Sequence, residues 1–421
     1  MKNKKRNKNV ISTSLSPNTE KDDALLALKT IFNPFNWKKG DSNQLLEEKI
    51  KDYLKVGHTF LFNSGRSSFL AILDALEIKE GDEFILQGFT CNSAVIPIIE
   101  KGAKPVFVDI DNSLNIDPDD LIKKITSNTK AIMVQHTFGC PAQMDKIMKI
   151  AKEKDLFVIE DCAHSLGASY KGRKCGTFGD VAFFSFGRDK IISSVFGGAA
   201  VTNNIAIALK IDKFRKGISC PSGFWIFQQL LHPILMRYLI IPFYNFPTFG
   251  RILLGGLQRI RILSKAVYKK EKQEGKMPNY FPKKMPNAFS ILALNQFDKL
   301  ERFNSHRKEI ADLYTRELKN NNVFLVEQNS QGSIFMRFSI LVNNSDKIIE
   351  EARKEKIFLN DGWRKSPIVP PDTNLEKVKY SIGSCQKAEE ISERILNLPT
   401  HINISREEAY RIVKFIKNNE Y

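Results

Sequence analysis

The chain is poor in three things, and each shortage excludes something. It has six cysteines in 421 residues, at 91, 140, 162, 175, 220 and 385, in no paired spacing. That argues against a disulfide scaffold and for a reducing cytosol. It is poor in long apolar runs: within its most apolar stretch, Phe224–Phe246, the longest unbroken run is the seven residues Tyr238–Tyr244. A bilayer span needs about 20. Residues 1–9 (MKNKKRNKN) carry five positive charges and no acid. No apolar stretch follows them, so a basic, disordered tail is expected there rather than a secretory signal.

Acids are scarce in one other place. Residues 216–284 hold twelve Lys and Arg against only Glu271 and Glu274, so most of the net charge of +17 lies in this segment and the tail. The remainder is nearly neutral, and no basic face is left on the folded domain for nucleic acid. Hydrophobic residues make up 42% and charged residues 26%. This is enough for a sizeable core and excludes a disordered, collagen-like or coiled-coil chain. The length suits one large domain and a smaller one.

From 58 to 215, short apolar runs alternate with helical patterns. His58–Phe62, Glu83–Leu86, Pro105–Asp109, Ala131–Gln135, Leu156–Ile159, Val181–Phe186 and Gly198–Thr202 read as strands. Arg66–Leu76, Asn92–Glu100, Asp117–Ile125 and Ala142–Lys152 read as helices between them. Continuous apolar strands separated by helices imply a mostly parallel sheet buried on both faces. In such sheets the chemistry gathers at the carboxyl ends of the strands.

Three of those ends carry suggestive groups. Ser64-Gly65-Arg66-Ser67 is a glycine turn opening a helix, an anion cradle or a plain turn. Glu160-Asp161-Cys162-Ala163-His164 places a carboxylate at an apolar strand end, as a functional group or a paired structural acid. Gly187-Arg188-Asp189-Lys190 holds a lysine that alone reads as a surface residue. Together they match the needs of pyridoxal phosphate: a phosphate cradle, an acid for the pyridine nitrogen and a lysine for the Schiff base. A Cys162, His164 and Cys175 metal cluster has no standard zinc spacing and lacks a fourth ligand nearby, so no metal is expected.

The order SG…S, EDCAHSLGA, SF…DK, GGAAVTN resembles the DegT/DnrJ/EryC1/StrS family of pyridoxal-phosphate-dependent sugar aminotransferases. The likeness runs from about Thr59 to Lys213 and resumes at Met285 (MPNAFSILALNQFDKLERFN) and Leu398-Pro399-Thr400-His401. It implies the fold-type I α/β architecture: a large, mostly parallel-sheet domain over 26–299 after a tail of 1–25, and a smaller C-terminal α/β domain over 300–421. It implies Lys190 as the Schiff-base lysine and Asp161 as the acid facing the pyridine nitrogen. Ala163 lies under the ring, and His164 stands near the phenolic oxygen. Gly65, Arg66 and Ser185 take the phosphate-binding positions. Cys91 replaces a stacking aromatic, so that stacking is either lost or supplied by Phe89, and Pro282 replaces an asparagine that reaches the partner's phosphate. His-Pro-Thr before the lysine is here Gly187-Arg188-Asp189. His136 at a strand end is a substrate contact or a packed histidine. Arg364 is a holder of a donor carboxylate or nucleotide phosphate, or a surface arginine.

The resemblance further implies a cytoplasmic homodimer that moves an amino group, from glutamate as the probable donor, to a keto group of a nucleotide-linked sugar for cell-surface glycan or related synthesis. Sugar dehydration and a non-catalytic cofactor sensor or membrane-docked scaffold are the rival readings. Residues 216–284 form an insertion whose apolar and basic mixture suits peripheral contact with an anionic membrane, or a flap packed on its own domain or a partner subunit.

Overall fold

Seven strands carry the site, and their sequences explain why they are central. β1 (His58–Phe62), β2 (Glu83–Gln87), β3 (Lys104–Val108), β4 (Thr129–Gln135), β5 (Phe157–Asp161), β6 (Val181–Ser185) and β7 (Gly198–Thr202) form one sheet in the order β1-β7-β6-β5-β4-β2-β3. In this computed structural model all neighbours are parallel except β7, which runs antiparallel to both β1 and β6. The structure describes residues 10–244, 249–319, 323–327 and 331–419.

Successive residues of one strand point to opposite faces, and both faces here are apolar. Phe84, Leu86 and Met133 join one core cluster with Phe69 and Phe183. Ile85, Ile132 and Val134 join another with Met144 and Ile147. That double burial is what the unbroken apolar strands anticipated. Helix α1 (Gly65–Ala75) follows β1 directly and is capped by Ser64, whose hydroxyl accepts from the Ser67 amide at 3.1 Å. The cap places the free amides of the first turn beside the end of β6.

The C-terminal part builds its own core. Strands β8 (Phe324–Leu325), β9 (Arg337–Leu341) and β10 (Ile395–Pro399) form an antiparallel sheet in that order. Tyr314, Phe338, Ile340, Leu398 and Ile412 are buried together behind it. The N-terminal segment departs from the expectation of a disordered tail to residue 25. Residues 1–9 lie outside the described residues, but Ile11–Ser12 bridges in parallel to Ile357–Phe358, with Ile11 fully buried. A helix then starts at Lys21 behind a capping box made by Glu20 and Asp23.

The insertion is helical. α2 (Gly223–Leu235) is capped by Ser222 and runs into a π-helical turn, Met236–Ile240; α3 (Phe249–Arg259) follows. Met236, Ile240 and Leu263 make a small core separate from the main one. No helix among the described residues is long and apolar enough to cross a membrane.

Candidate active site

The strand ends converge on a cavity of about 240 Å³. Its lining includes Gly65 and Arg66 from α1, Asp161 from β5, Ala163 and His164 just after it, Ser185 from β6, and Lys190. Seven of the expected positions therefore meet in one space. Two glycines make this closeness possible. A Cβ on Gly65 would stand 3.0 Å from the Ser185 Cβ, and one on Gly198 would stand 2.5 Å from the Gly65 amide nitrogen. Only glycine lets β7 and β6 press against the first turn of α1 this tightly.

Lys190 Nζ lies 2.9 Å from His164 Nε2. The histidine is sandwiched: its ring stacks on Phe138 at 5.6 Å and meets Trp363 edge-on at 5.0 Å. Burial, together with the positive charges of Lys190 and Arg337, holds its pKa well below the usual histidine value. Its Nδ1 faces the Phe138 amide at 3.4 Å, and its Nε2 faces Lys190. Asp161 Oδ1 accepts from the Ala163 amide at 2.9 Å. Burial pushes the Asp161 carboxyl up, while that amide and Lys190 pull it back. Asp189, next to the lysine, is about a third exposed; its partial burial pushes the carboxyl up, but Lys190 and Arg337 outweigh this and keep it low.

Three expectations are corrected and a fourth is narrowed. Phe89 does not line the cavity; it is fully buried and packs edge-on to Phe138 and Trp363, so it offers no stacking face. His136 is no substrate contact. It is fully buried, with Nε2 3.0 Å from Glu160 Oε2 and Nδ1 accepting from the Ala142 amide at 3.2 Å. Arg364 turns away from the cavity and donates to Ser345 Oγ at 2.7 Å and Asp346 Oδ1 at 2.5 Å. The Arg66 guanidinium is engaged by Glu271 and by the Ala266 carbonyl at 3.0 Å, which leaves its backbone amide as the group beside the cradle.

The histidine near Cys162 is His136 rather than His164. Glu160 completes that cluster, and its carboxylate already accepts from the Gly176, Phe178 and Gly179 amides at 2.7, 2.6 and 2.8 Å.

The sequence reading missed the residues that hold the lysine loop. Arg337, on β9, is 2% exposed and reaches Asp189 and Asp361, each at 3.0 Å. Its guanidinium lies over the rings of Phe138 and Trp363. Trp363 and Asp361 line the cavity next to Arg364, so the loop, though not its arginine, belongs to the site. A charged residue opening an otherwise apolar strand (RFSIL) was the available signal.

A family model for the DegT/DnrJ/EryC1/StrS aminotransferases matches residues 18–223 and 257–417. The chain belongs to this family. It is a pyridoxal-phosphate-dependent aminotransferase. Among its relatives, the GDP-perosamine synthase of Escherichia coli O157:H7 is 29% identical over 385 residues, 91% of each chain. The UDP-N-acetyl-3-dehydro-alpha-D-glucosamine 3-aminotransferase of Acidithiobacillus ferrooxidans is 26% identical over 403 residues, 94% of each. Among solved structures, PseC of Helicobacter pylori, an aminotransferase involved in the biosynthesis of pseudoaminic acid, shares the fold with a TM-score of 0.75 and 22% identity, over 98% of this chain and 99% of that one. The family match leaves out 224–256, which contains most of α2 and much of α3.

Proposed function

We propose that the enzyme moves an amino group from an amino acid, glutamate, to the keto group of a nucleotide-linked sugar, as part of surface-glycan or related sugar synthesis. The observation that supports this most is the meeting of Lys190, His164, Asp161 and the α1 N-terminus in one cavity. The relatives named for amino sugars support the substrate class.

Pyridoxal phosphate, when bound, supplies an electron sink that lets the amine carbon lose a proton. Its phosphate fits the free amides at Gly65 and Arg66 with the Ser185 hydroxyl alongside, because a helix N-terminus favours an anion. Asp161 is the carboxylate for a protonated ring nitrogen; the charge lowers the cost of its burial. Lys190 is the amine that would hold the aldehyde and move the proton. His164 turns Nε2 toward the cavity and, with its pKa held low, adds no positive charge there. Asp189, tied to Arg337, fixes the lysine loop from the small-domain side.

A dehydratase reading of the same cofactor is disfavoured by Lys190, which sugar-dehydrating relatives often replace with histidine. A screen of keto-sugar nucleotides with glutamate, following 2-oxoglutarate, tests the proposal. Turnover of one or more is expected; a cofactor-loaded protein inert toward all of them would support the sensor or scaffold reading instead.

The proposal extends to a homodimer and to peripheral membrane contact through 216–284, in a cytoplasmic protein. The contact is supported by the exposed Phe224, Tyr238, Phe243, Phe249, Ile252 and Ile260 in a stretch where no acid precedes Glu271. Apolar side chains beside unopposed cations suit an anionic lipid surface.

A further inference from the structure

Two arginines at the cavity are both held by the insertion's return path. Arg188 donates from Nη1 to the Ser264 carbonyl at 2.6 Å, and from Nη2 to the Ser264 hydroxyl and to Gln229 Oε1. The Ser264 hydroxyl in turn lies 2.6 Å from Gln229 Oε1, and both residues are buried. Gln229 sits on α2, in the part of the chain outside the family match. Seven residues beyond Ser264, Glu271 takes Arg66, and its second oxygen accepts from the Tyr268 amide at 2.9 Å. Glu271 is fully buried, and the guanidinium it pairs with lies 4.4 Å over the Phe281 ring. Beyond it, the Lys272 carbonyl accepts from the Asn374 amide at 2.7 Å, and Gln273 Nε2 donates to the Asp372 carbonyl at 2.6 Å. Between the two arginines the chain presents Ala266 and Val267 to the cavity, which Val369, Pro370 and Trp363 also line.

A segment held by charged bonds at both ends, with Ala266 and Val267 facing the cavity between them, is built to hold a shape. Arg188 stands where the family has the middle residue of His-Pro-Thr, and of its two partners Ser264 lies inside the family match and Gln229 outside it.

We propose that residues 264–271 form a clamped wall of the acceptor pocket, with Val267 setting which sugar enters and Glu271 and Arg188 acting as positioning residues that hold the wall. This rests on the aminotransferase reading above, and the acceptor is the keto-sugar portion of the nucleotide sugar. Ala266 and Val267 carry no polar side-chain group, so they favour an unsubstituted or deoxygenated edge of the sugar. A hydroxyl pressed against them would lose its water without gaining a partner.

Two measurements test it. Lys265 and Lys269 are exposed, so trypsin reports opening of the segment in the cofactor-free protein. Glu271→Gln leaves the Arg66 charge without its carboxylate, and cleavage at these lysines should rise roughly tenfold or more. Adding Arg66→Met to that variant should restore much of the protection, because removing both partners costs less than removing one. Equal cleavage of wild type and Glu271→Gln overturns the clamp, whatever the substrate proves to be. For the wall, kcat/KM is compared for two keto-sugar nucleotides that differ by a hydroxyl on the sugar. Val267→Ser should shift their ratio toward the hydroxylated acceptor by roughly tenfold, the scale of one pocket contact. A merely structural loss lowers both acceptors equally, and an unmoved ratio overturns the wall. Failure of wild-type enzyme to use any keto-sugar nucleotide would instead refute the function proposed above, while the proteolysis result still judges the clamp.

Discussion

Replacing Arg337 with methionine keeps most of the side chain's length and its packing on Phe138 and Trp363, but removes the charge that two carboxylates share. The cost follows from which carboxylate is left behind. Asp189 is about a third exposed and keeps Lys190 beside it, so solvent and that lysine absorb part of its loss. Asp361 is 2% exposed at its side chain and has no such relief. It keeps two hydrogen bonds, from the Trp363 amide and from Asn397 Nδ2, each at 3.0 Å. Breaking a buried pair costs about 3–5 kcal/mol, and those two bonds place Arg337→Met near the lower end, about 3 kcal/mol. Combining it with Asp361→Asn should recover at least about 1.5 kcal/mol, because the stranded charge is gone. Urea unfolding of the cofactor-bound protein near neutral pH reads both, as a shift of midpoint at constant slope. The functional signature is separate. Without Arg337, the His164 pKa should rise toward its ordinary value and the acid limb of the pH–rate profile should move up with it. A destabilisation under about 1 kcal/mol, or no recovery in the double variant, would refute the argument that this arginine neutralises buried charge.

Other outcomes are expected on the same grounds. Borohydride reduction and peptide mapping should place the pyridoxyl label on Lys190, and a label on another lysine would sink the assignment. Asp161→Asn should leave a folded protein with turnover lowered roughly 10²-fold or more, since it removes a charge aimed at the reacting ring; near-normal turnover would count against the role. Burial, against the Ser12 carbonyl, pushes His401 down to about 4. The unfolded chain therefore binds this proton first as pH falls through about 6.5, and stability should drop by up to about 1.4 kcal/mol per pH unit until about pH 4. His401→Gln should flatten that slope in unfolding measurements, and an unchanged slope would assign it elsewhere. Intact protein should float with anionic vesicles at low salt and be released at about 1 M salt, where the Debye length is ~3 Å; no flotation at low salt ends the membrane proposal, and loss of the dimer on deleting 224–256 would mark the segment as a subunit interface.

The strands were legible because an apolar run in a doubly covered sheet is a local property: Glu83–Gln87 and Val181–Ser185 declare themselves without knowledge of their neighbours. The cluster of Gly65, Asp161, Ser185 and Lys190 was legible for a related reason. A parallel sheet gathers its carboxyl ends at one edge, so position along the chain already predicts proximity. Side-chain direction is not local. Phe89, His136 and Arg364 stand one or two residues from the cavity's lining, yet each turns to a partner far away in sequence: Phe138 and Trp363, Glu160, and Asp346. Which partner wins depends on which buried charge or ring lies within reach, and only the packed chain decides that. The same holds for the pairs that lock the site. Arg337 with Asp189 spans 148 residues and Arg66 with Glu271 spans 205, and nothing in either neighbourhood names the other. By itself the sequence determined the sheet and the cofactor, and it named the lysine proposed to serve it. The tertiary structure decided which arginines are spent on buried acids, and therefore which surfaces remain to meet the substrate.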